Sequence, residues 1–250
     1  MACHIRSVSL PTRSHPFLLK AEEELNKLRA CMSSSSLTYE IMLDALKAVG
    51  RVYESINDLV QMSNNRNGLS HMQHRRWVEQ ELEESVKLLD MCSISRDNLD
   101  TIKDHVQDLE LAARRGDLET VKRKVGDYNL IIKKANRDVK MQILNKNESA
   151  EGDSLAVISH LMETREITIS VLQSIFSYLS RQISGKKSSK WSIVSRLVEK
   201  RTISCKGERE KDSFDAACLR VNVEDLENGV KTLFRHLIQC RVSLLNICSL

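Results

Sequence analysis

A loop that cradles phosphate needs several glycines within about eight residues, so that backbone N–H groups can close on the anion. The glycines of this chain are Gly50, Gly68, Gly116, Gly126, Gly152, Gly185, Gly207 and Gly229, and no two stand closer than ten residues. Both nucleotide-binding glycine motifs are excluded on that spacing. Metal sites need clustered ligands. His71 and His74 are three residues apart but stand beside Arg75 and Arg76 and read as part of a solvated loop, while His105, His160 and His236 are isolated from one another. The seven cysteines lie at wide, irregular intervals without a C-x-x-C pair, which fits neither a disulfide framework nor a zinc site. Cys92 and Cys240 fall on apolar stripes and read as small core residues, not nucleophiles. The run Glu79, Glu81, Glu83 and Glu84 reads as the wet face of a helix. These residues call for no catalytic site, metal or cofactor.

One short segment does carry a chemical signal. In Arg6-Ser7-Val8-Ser9-Leu10-Pro11, an arginine precedes Ser9 by three residues, as a basic-directed kinase requires, and a proline two residues later turns the chain away. The segment resembles the phosphoserine ligand of 14-3-3 proteins, R-S-x-S-x-P. There a phosphate dianion is held bidentately by arginines of the partner. Arg6, Ser7, Ser9 and Pro11 are the candidate docking residues, on an arm spanning residues 1–15.

The elements behind that arm are helical. The only prolines, Pro11 and Pro16, are both near the N-terminus, so nothing interrupts helices over the next 234 residues. Aromatic residues make up 4%, too few for a β-sandwich or barrel. Apolar residues recur at alternating steps of three and four, which lays a seam along one helix face. Leu18, Ala21, Leu25, Leu28 and Met32 mark a first helix, and Ile41 through Leu59 mark a second over residues 37–62. A polar loop from Ser63 to Leu69 and a capping box of Ser70 and Gln73 introduce the longest helix, residues 72–115. Gly116 and Asp117 stop it and cap the next, which is seamed from Leu118 to Val139; Gly152 and Asp153 repeat the device. The seam from Leu155 to Ile183 is interrupted only by Arg165. A short helix over 190–202 and a last one capped by Asn222 follow, the latter seamed by Val223 to Ile247. The fold class is all-α: an antiparallel bundle of long amphipathic helices in one domain, residues 16–250, with linkers at 184–190 and 204–221.

The formal charge of +4 is too small for a dedicated nucleic-acid binder, so no specific nucleic acid is expected. Two stretches are locally basic. Residues 122–146 hold eight Lys/Arg against two Asp, and residues 181–211 hold ten against three Glu. Either can attract an acidic membrane surface. No apolar run approaches the roughly 18 residues of a membrane span, and the first twenty residues lack the apolar segment of a secretory signal. The reading is an intracellular, cytoplasmic chain, with a plastid or membrane-peripheral location as open alternatives.

The arm His4-x-Arg6-Ser7-x-Ser9-Leu10-Pro11-x-Arg13-Ser14-His15-Pro16 closely resembles the opening of the plant-specific BYPASS-related family. The similarity continues in Glu24-Leu25-x-x-Leu28-Arg29, Tyr53 to Leu59, Trp77-Val78-Glu79, and Leu88-Leu89-Asp90 through Arg96-Asp97 to His105-Val106-Gln107-Asp108-Leu109. It closes with Leu233-Phe234-Arg235 and Arg241-Val242-Ser243-Leu244-Leu245-Asn246. The resemblance implies a link to root and shoot development and supplies no catalytic residues. Arg96 and Asp97 interrupt an apolar stripe within it and are expected to form a buried or interfacial structural ion pair with another helix. Three readings follow. The first is a non-enzymatic interaction or regulatory protein with protein partners, among them a phosphoserine-reading adaptor. The second is a peripheral membrane or anion-binding protein using residues 122–146 and 181–211. The third is an enzyme with an unrecognised interhelical site.

Overall fold

The computed structural model describes residues 16–33, 38–141, 156–183 and 216–249. Among these, seven helices follow in order: α1 (Pro16–Met32), α2 (Tyr39–Gln61), α3 (Ser63–Ser70), α4 (Met72–Arg115), α5 (Leu118–Met141), α6 (Ala156–Ile183) and α7 (Ala216–Cys248). The all-α class and the long-helix bundle are therefore the observed architecture. The arm 1–15, the linker 184–190, the Gly152–Asp153 device and the short helix expected over 190–202 lie outside the described residues.

Local chemistry sets the helix ends. Thr38 Oγ1 accepts the Ile41 N–H at 3.4 Å and caps α2. At the end of the 44-residue α4, Gly116 adopts φ 73°, and the Asp117 N–H turns back to the Ala112 carbonyl at 3.2 Å. Asp117 Oδ1 then accepts the Thr120 N–H at 3.1 Å, so α5 starts at once. A left-handed residue with a Cβ costs roughly 1–2 kcal/mol. Gly116→Ala is accordingly expected to destabilise the protein by about 1 kcal/mol, measured by urea unfolding. An unchanged midpoint would remove the turn from the stability argument.

Three local expectations are corrected. Residues Ser63–Ser70 form the short helix α3 instead of a loop. The Ser70–Gln73 capping box is absent, because Ser70 Oγ donates to the Asn67 carbonyl of α3 at 2.9 Å, and His71 stands at the N-cap of α4 without a side-chain cap bond. Asn222 is no cap: α7 begins at Ala216, so residues 216–221 of the expected linker are helical. The Asn222 side chain instead donates to the Tyr178 hydroxyl at 3.4 Å. An Asn signals a cap only where the backbone around it is frayed. Here tertiary contact continues the helix past it.

Most seam positions are buried, and α2 buries more than one stripe. Helix α2 encloses Met42, Val49, Tyr53 and Val60 as well as Ala45, Val52, Ile56 and Leu59, since α1, α6 and α7 all pack on it. Helix α7 lies between α2 and α4, α5 packs on α4, and α6 closes the circuit against both α5 and α2. Directions follow from paired residues. Arg220–Glu110, Lys103–Glu227 and Arg241–Ser85 run α4 and α7 antiparallel. Tyr39–Asp225 and Gln61–Ser243 run α2 and α7 parallel. Short turns force antiparallel neighbours only between helices adjacent in sequence; α2 and α7 are distant in sequence and free of that constraint. The α4–α7 seam is clasped by Glu227, 3% exposed, whose carboxylate meets Lys103 at 2.8 Å and Lys231 at 2.5 Å. Burial would raise the Glu227 carboxyl, but the two ammonium groups more than offset it and hold it low. Leu118, expected at the head of the α5 seam, is 48% exposed because it sits at the turn, before α5 meets a partner. No described helix is long and apolar enough to cross a membrane.

Candidate functional site

Four helices bring polar side chains to one buried layer. Arg165 of α6 donates to Glu81 Oε1 of α4 at 2.5 Å, with the two side chains 11% and 8% exposed. The Glu81 carboxyl stands at about 6, because burial raises it and the Arg165 charge and hydrogen bond offset only part of that rise. The carboxylates of Glu84 and Glu166 add a smaller upward push. At neutral pH Glu81 is therefore ionised and paired. Beside it, Arg241 of α7 donates to Ser85 Oγ at 2.6 Å and to the Leu82 carbonyl. Tyr53 Oη of α2 and Thr168 Oγ1 of α6 are 3.5 Å apart, and Thr168 donates back to the Thr164 carbonyl at 2.6 Å. Tyr53, Glu81, Ser85, Arg165 and Arg241 border a cavity of ≈ 20 Å³ whose remaining walls are leucines and Cys240, room for about one water.

Such a layer fixes register. Each head group is spent on another helix or on its own backbone, and each would be costly to leave unbonded. The thiols of Cys92 and Cys240 are buried in the core as well. Burial pushes Cys92 and Cys240 up to about 12, far above the range in which a thiol is a nucleophile at neutral pH.

A second feature is a cleft of ≈ 490 Å³ between the parallel helices α2 and α7. Its floor is made by close approach at two glycines. A Cβ on Gly50 would stand 3.1 Å from His236 Cδ2, and one on Gly229 would stand 2.8 Å from Leu46 Cδ1. The charged groups on its walls are largely engaged elsewhere: Arg51 Nη2 with Glu24 at 2.6 Å, and Asp225 with the Tyr39 hydroxyl at 2.5 Å. His236 Nδ1 is buried without a hydrogen-bond partner, 3.6 Å from Glu54 Oε1.

The residues singled out in the sequence fall in different places. Arg6, Ser7, Ser9 and Pro11 lie outside the described residues. Arg96 and Asp97 do form an ion pair, at 2.8 Å, but with each other and at 40% and 67% exposure. The expectation that they bridge to another helix is corrected. Consecutive residues diverge by about 100° around a helix, and this sector of α4 faces water. The buried pair between helices is Glu81–Arg165, and its signal in the sequence was the lone Arg165 breaking the α6 seam. The glutamate run likewise divides: Glu79 and Glu83 are exposed, whereas Glu81 and Glu84 turn inward. His74 Nδ1 lies 3.1 Å from the Gly68 carbonyl. Among the described residues no three His, Cys, Asp or Glu side chains converge as metal ligands.

Comparison with known proteins adds the family. The profile of the family described as Protein BPS1 matches residues 45–220 and 215–247. Neither the curated proteins nor the solved structures supply a match. The matched residues include α2 from Ala45 onward, α3, α4, α5 and α6 whole, and α7 up to Ile247, so they contain every side chain of the buried polar layer. The chain belongs to the BPS1 family, the plant BYPASS-related family that its sequence resembles.

Proposed function

We propose that this protein is a non-enzymatic regulator of plant development, a rigid helical scaffold that works by binding other proteins. The observation that carries this reading is the buried polar layer. Its arginines, carboxylate and hydroxyls are bonded across helices, with Arg165–Glu81 at 2.5 Å and Arg241–Ser85 at 2.6 Å. An active site keeps such groups poised toward a substrate; here they serve the helices instead. The link to root and shoot development comes from the family resemblance. In this reading the arm supplies the regulated contact: phosphorylated Ser9 engages a 14-3-3 adaptor, with Arg6, Ser7 and Pro11 completing the ligand. The setting is the cytoplasm.

The test is proximity labelling in plant cells with the full chain and its Ser9→Ala variant, joined to peptide binding. A 1–16 peptide phosphorylated at Ser9 is expected to bind a 14-3-3 protein on the order of 100-fold more tightly than the unmodified peptide, from the charge-assisted bonds of the phosphate. The wild-type chain is expected to label a reproducible set of proteins, with the adaptor lost in Ser9→Ala. A labelled set no different from that of an inert control would overturn the scaffold reading. Equal peptide affinities would remove the phosphoserine contact from it.

A further inference from the structure

Helix α5 carries a surface that the bundle does not use. Its core side is complete, with Val121, Val125, Tyr128, Ile132, Ala135 and Val139 all buried. On the opposite side, Leu130 and Met141 are 65% and 68% exposed, more than any other large apolar side chain described. They are eleven residues apart, about three whole turns, so they point the same way to within about 20°. Lys133, Lys134, Arg137 and Lys140 are exposed around them, and no ion pair is formed by these four among the described residues. Over the whole helix, seven Lys/Arg face three Asp/Glu, leaving +4, as much as the net charge of the entire 250-residue chain. The carboxylates stand aside from the four: Glu119 near the first turn, Asp127 3.9 Å from Arg123, and Asp138 partly buried.

We propose that this face of α5 docks on an anionic phospholipid bilayer, Leu130 and Met141 entering the acyl boundary while Lys133, Lys134, Arg137 and Lys140 meet headgroup phosphates. Two features select lipid over other polyanions. Aliphatic tips gain nothing from stacked bases, which call for aromatic platforms, but they gain from hydrocarbon. The helix also projects a convex ridge with long cationic side chains along both flanks, and such a ridge suits a yielding planar surface. Each Lys or Arg held at an anionic leaflet raises partitioning roughly fivefold.

The test uses the full chain and sedimentation with vesicles of phosphatidylcholine alone or mixed with phosphatidylserine. Binding is expected to the mixed vesicles only, and to be released by added NaCl as screening shortens the reach of the charges. Combined Lys133→Gln, Lys134→Gln, Arg137→Gln and Lys140→Gln substitution should lower the partition coefficient by roughly 600-fold if the four contributions multiply. Leu130→Gln with Met141→Gln, which leaves the charge alone, should lower it roughly tenfold. All six side chains are exposed, so circular dichroism and thermal unfolding should match the wild type and separate lost docking from lost folding. Wild-type binding by the quadruple variant would overturn the proposal, since the attraction would then lie elsewhere, for example in the basic stretch 181–211. So would wild-type binding by the Leu130/Met141 variant together with displacement by double-stranded DNA, which would make the face a general polyanion site. Either failure leaves the protein-scaffold reading standing, because labelling of protein partners does not depend on lipid.

Discussion

Arg165→Ala is expected to lower the unfolding free energy by about 3–5 kcal/mol, because it leaves the Glu81 carboxylate buried without its partner. Solvent screening makes most surface ion pairs nearly worthless, but these side chains are only 11% and 8% exposed. At about 2–4 °C per kcal/mol for a domain of this size, the melting temperature should fall by roughly 10 °C. The double variant Glu81→Leu, Arg165→Met removes both charges at similar volume and should recover most of the loss. A melting temperature within about 2 °C of wild type for Arg165→Ala would show that the pair contributes little.

The same residues give a pH dependence with a definite sign. Burial places the folded-state Glu81 carboxyl at about 6, above the ordinary 4.5, so the folded chain holds this proton more tightly than the unfolded chain. Its contribution is full below about pH 4.5 and is lost as pH rises through about 6. Removing Arg165 takes away the main downward pull and raises the carboxyl further. Between pH 7 and pH 5 the Arg165→Ala variant should therefore regain stability relative to wild type, and adding Glu81→Gln should abolish that difference. Thermal unfolding at the two pH values measures it.

Phe176→Ala should cost about 3–5 kcal/mol through the cavity it leaves. Phe176 is fully buried on α6. Its carbonyl accepts from Asn136 Nδ2 of α5 at 3.4 Å, one turn from where Tyr128 Oη donates to the Leu179 carbonyl at 3.0 Å. Helix α6 reaches both α5 and α2, so the loss should be felt by the whole bundle as one transition. Urea unfolding should show a lower midpoint at unchanged slope. Phe176→Leu, which keeps most of the volume, should cost less than about 1.5 kcal/mol. A loss below 1 kcal/mol for Phe176→Ala would mean that the α5–α6 seam collapses around the gap.

Residues far apart in sequence account for most of what the sequence reading missed. A carboxylate at position 81 and a guanidinium at 165 carry no mark that they meet. Arg165 was conspicuous because it broke a seam, yet its partner lay in a glutamate run that read as solvated. Conversely, Arg96 and Asp97 looked like an interruption and proved to be a surface pair. One stripe per helix also understated α2, whose second buried row is needed only because three other helices surround it.

By itself the sequence determined the six long helices, their seams and most of their ends, from Pro16 to the stop at Gly116, but neither α3 nor the first six residues of α7. Those properties depend on contacts three and four residues apart and on backbone geometry at single residues. Only the tertiary structure decided the parallel run of α2 beside α7, the inward turn of Glu81, and the exposure of Leu130 and Met141 on one bare flank of α5. Each of these depends on which faces of distant segments are covered, and periodicity along one helix carries no information about its neighbours.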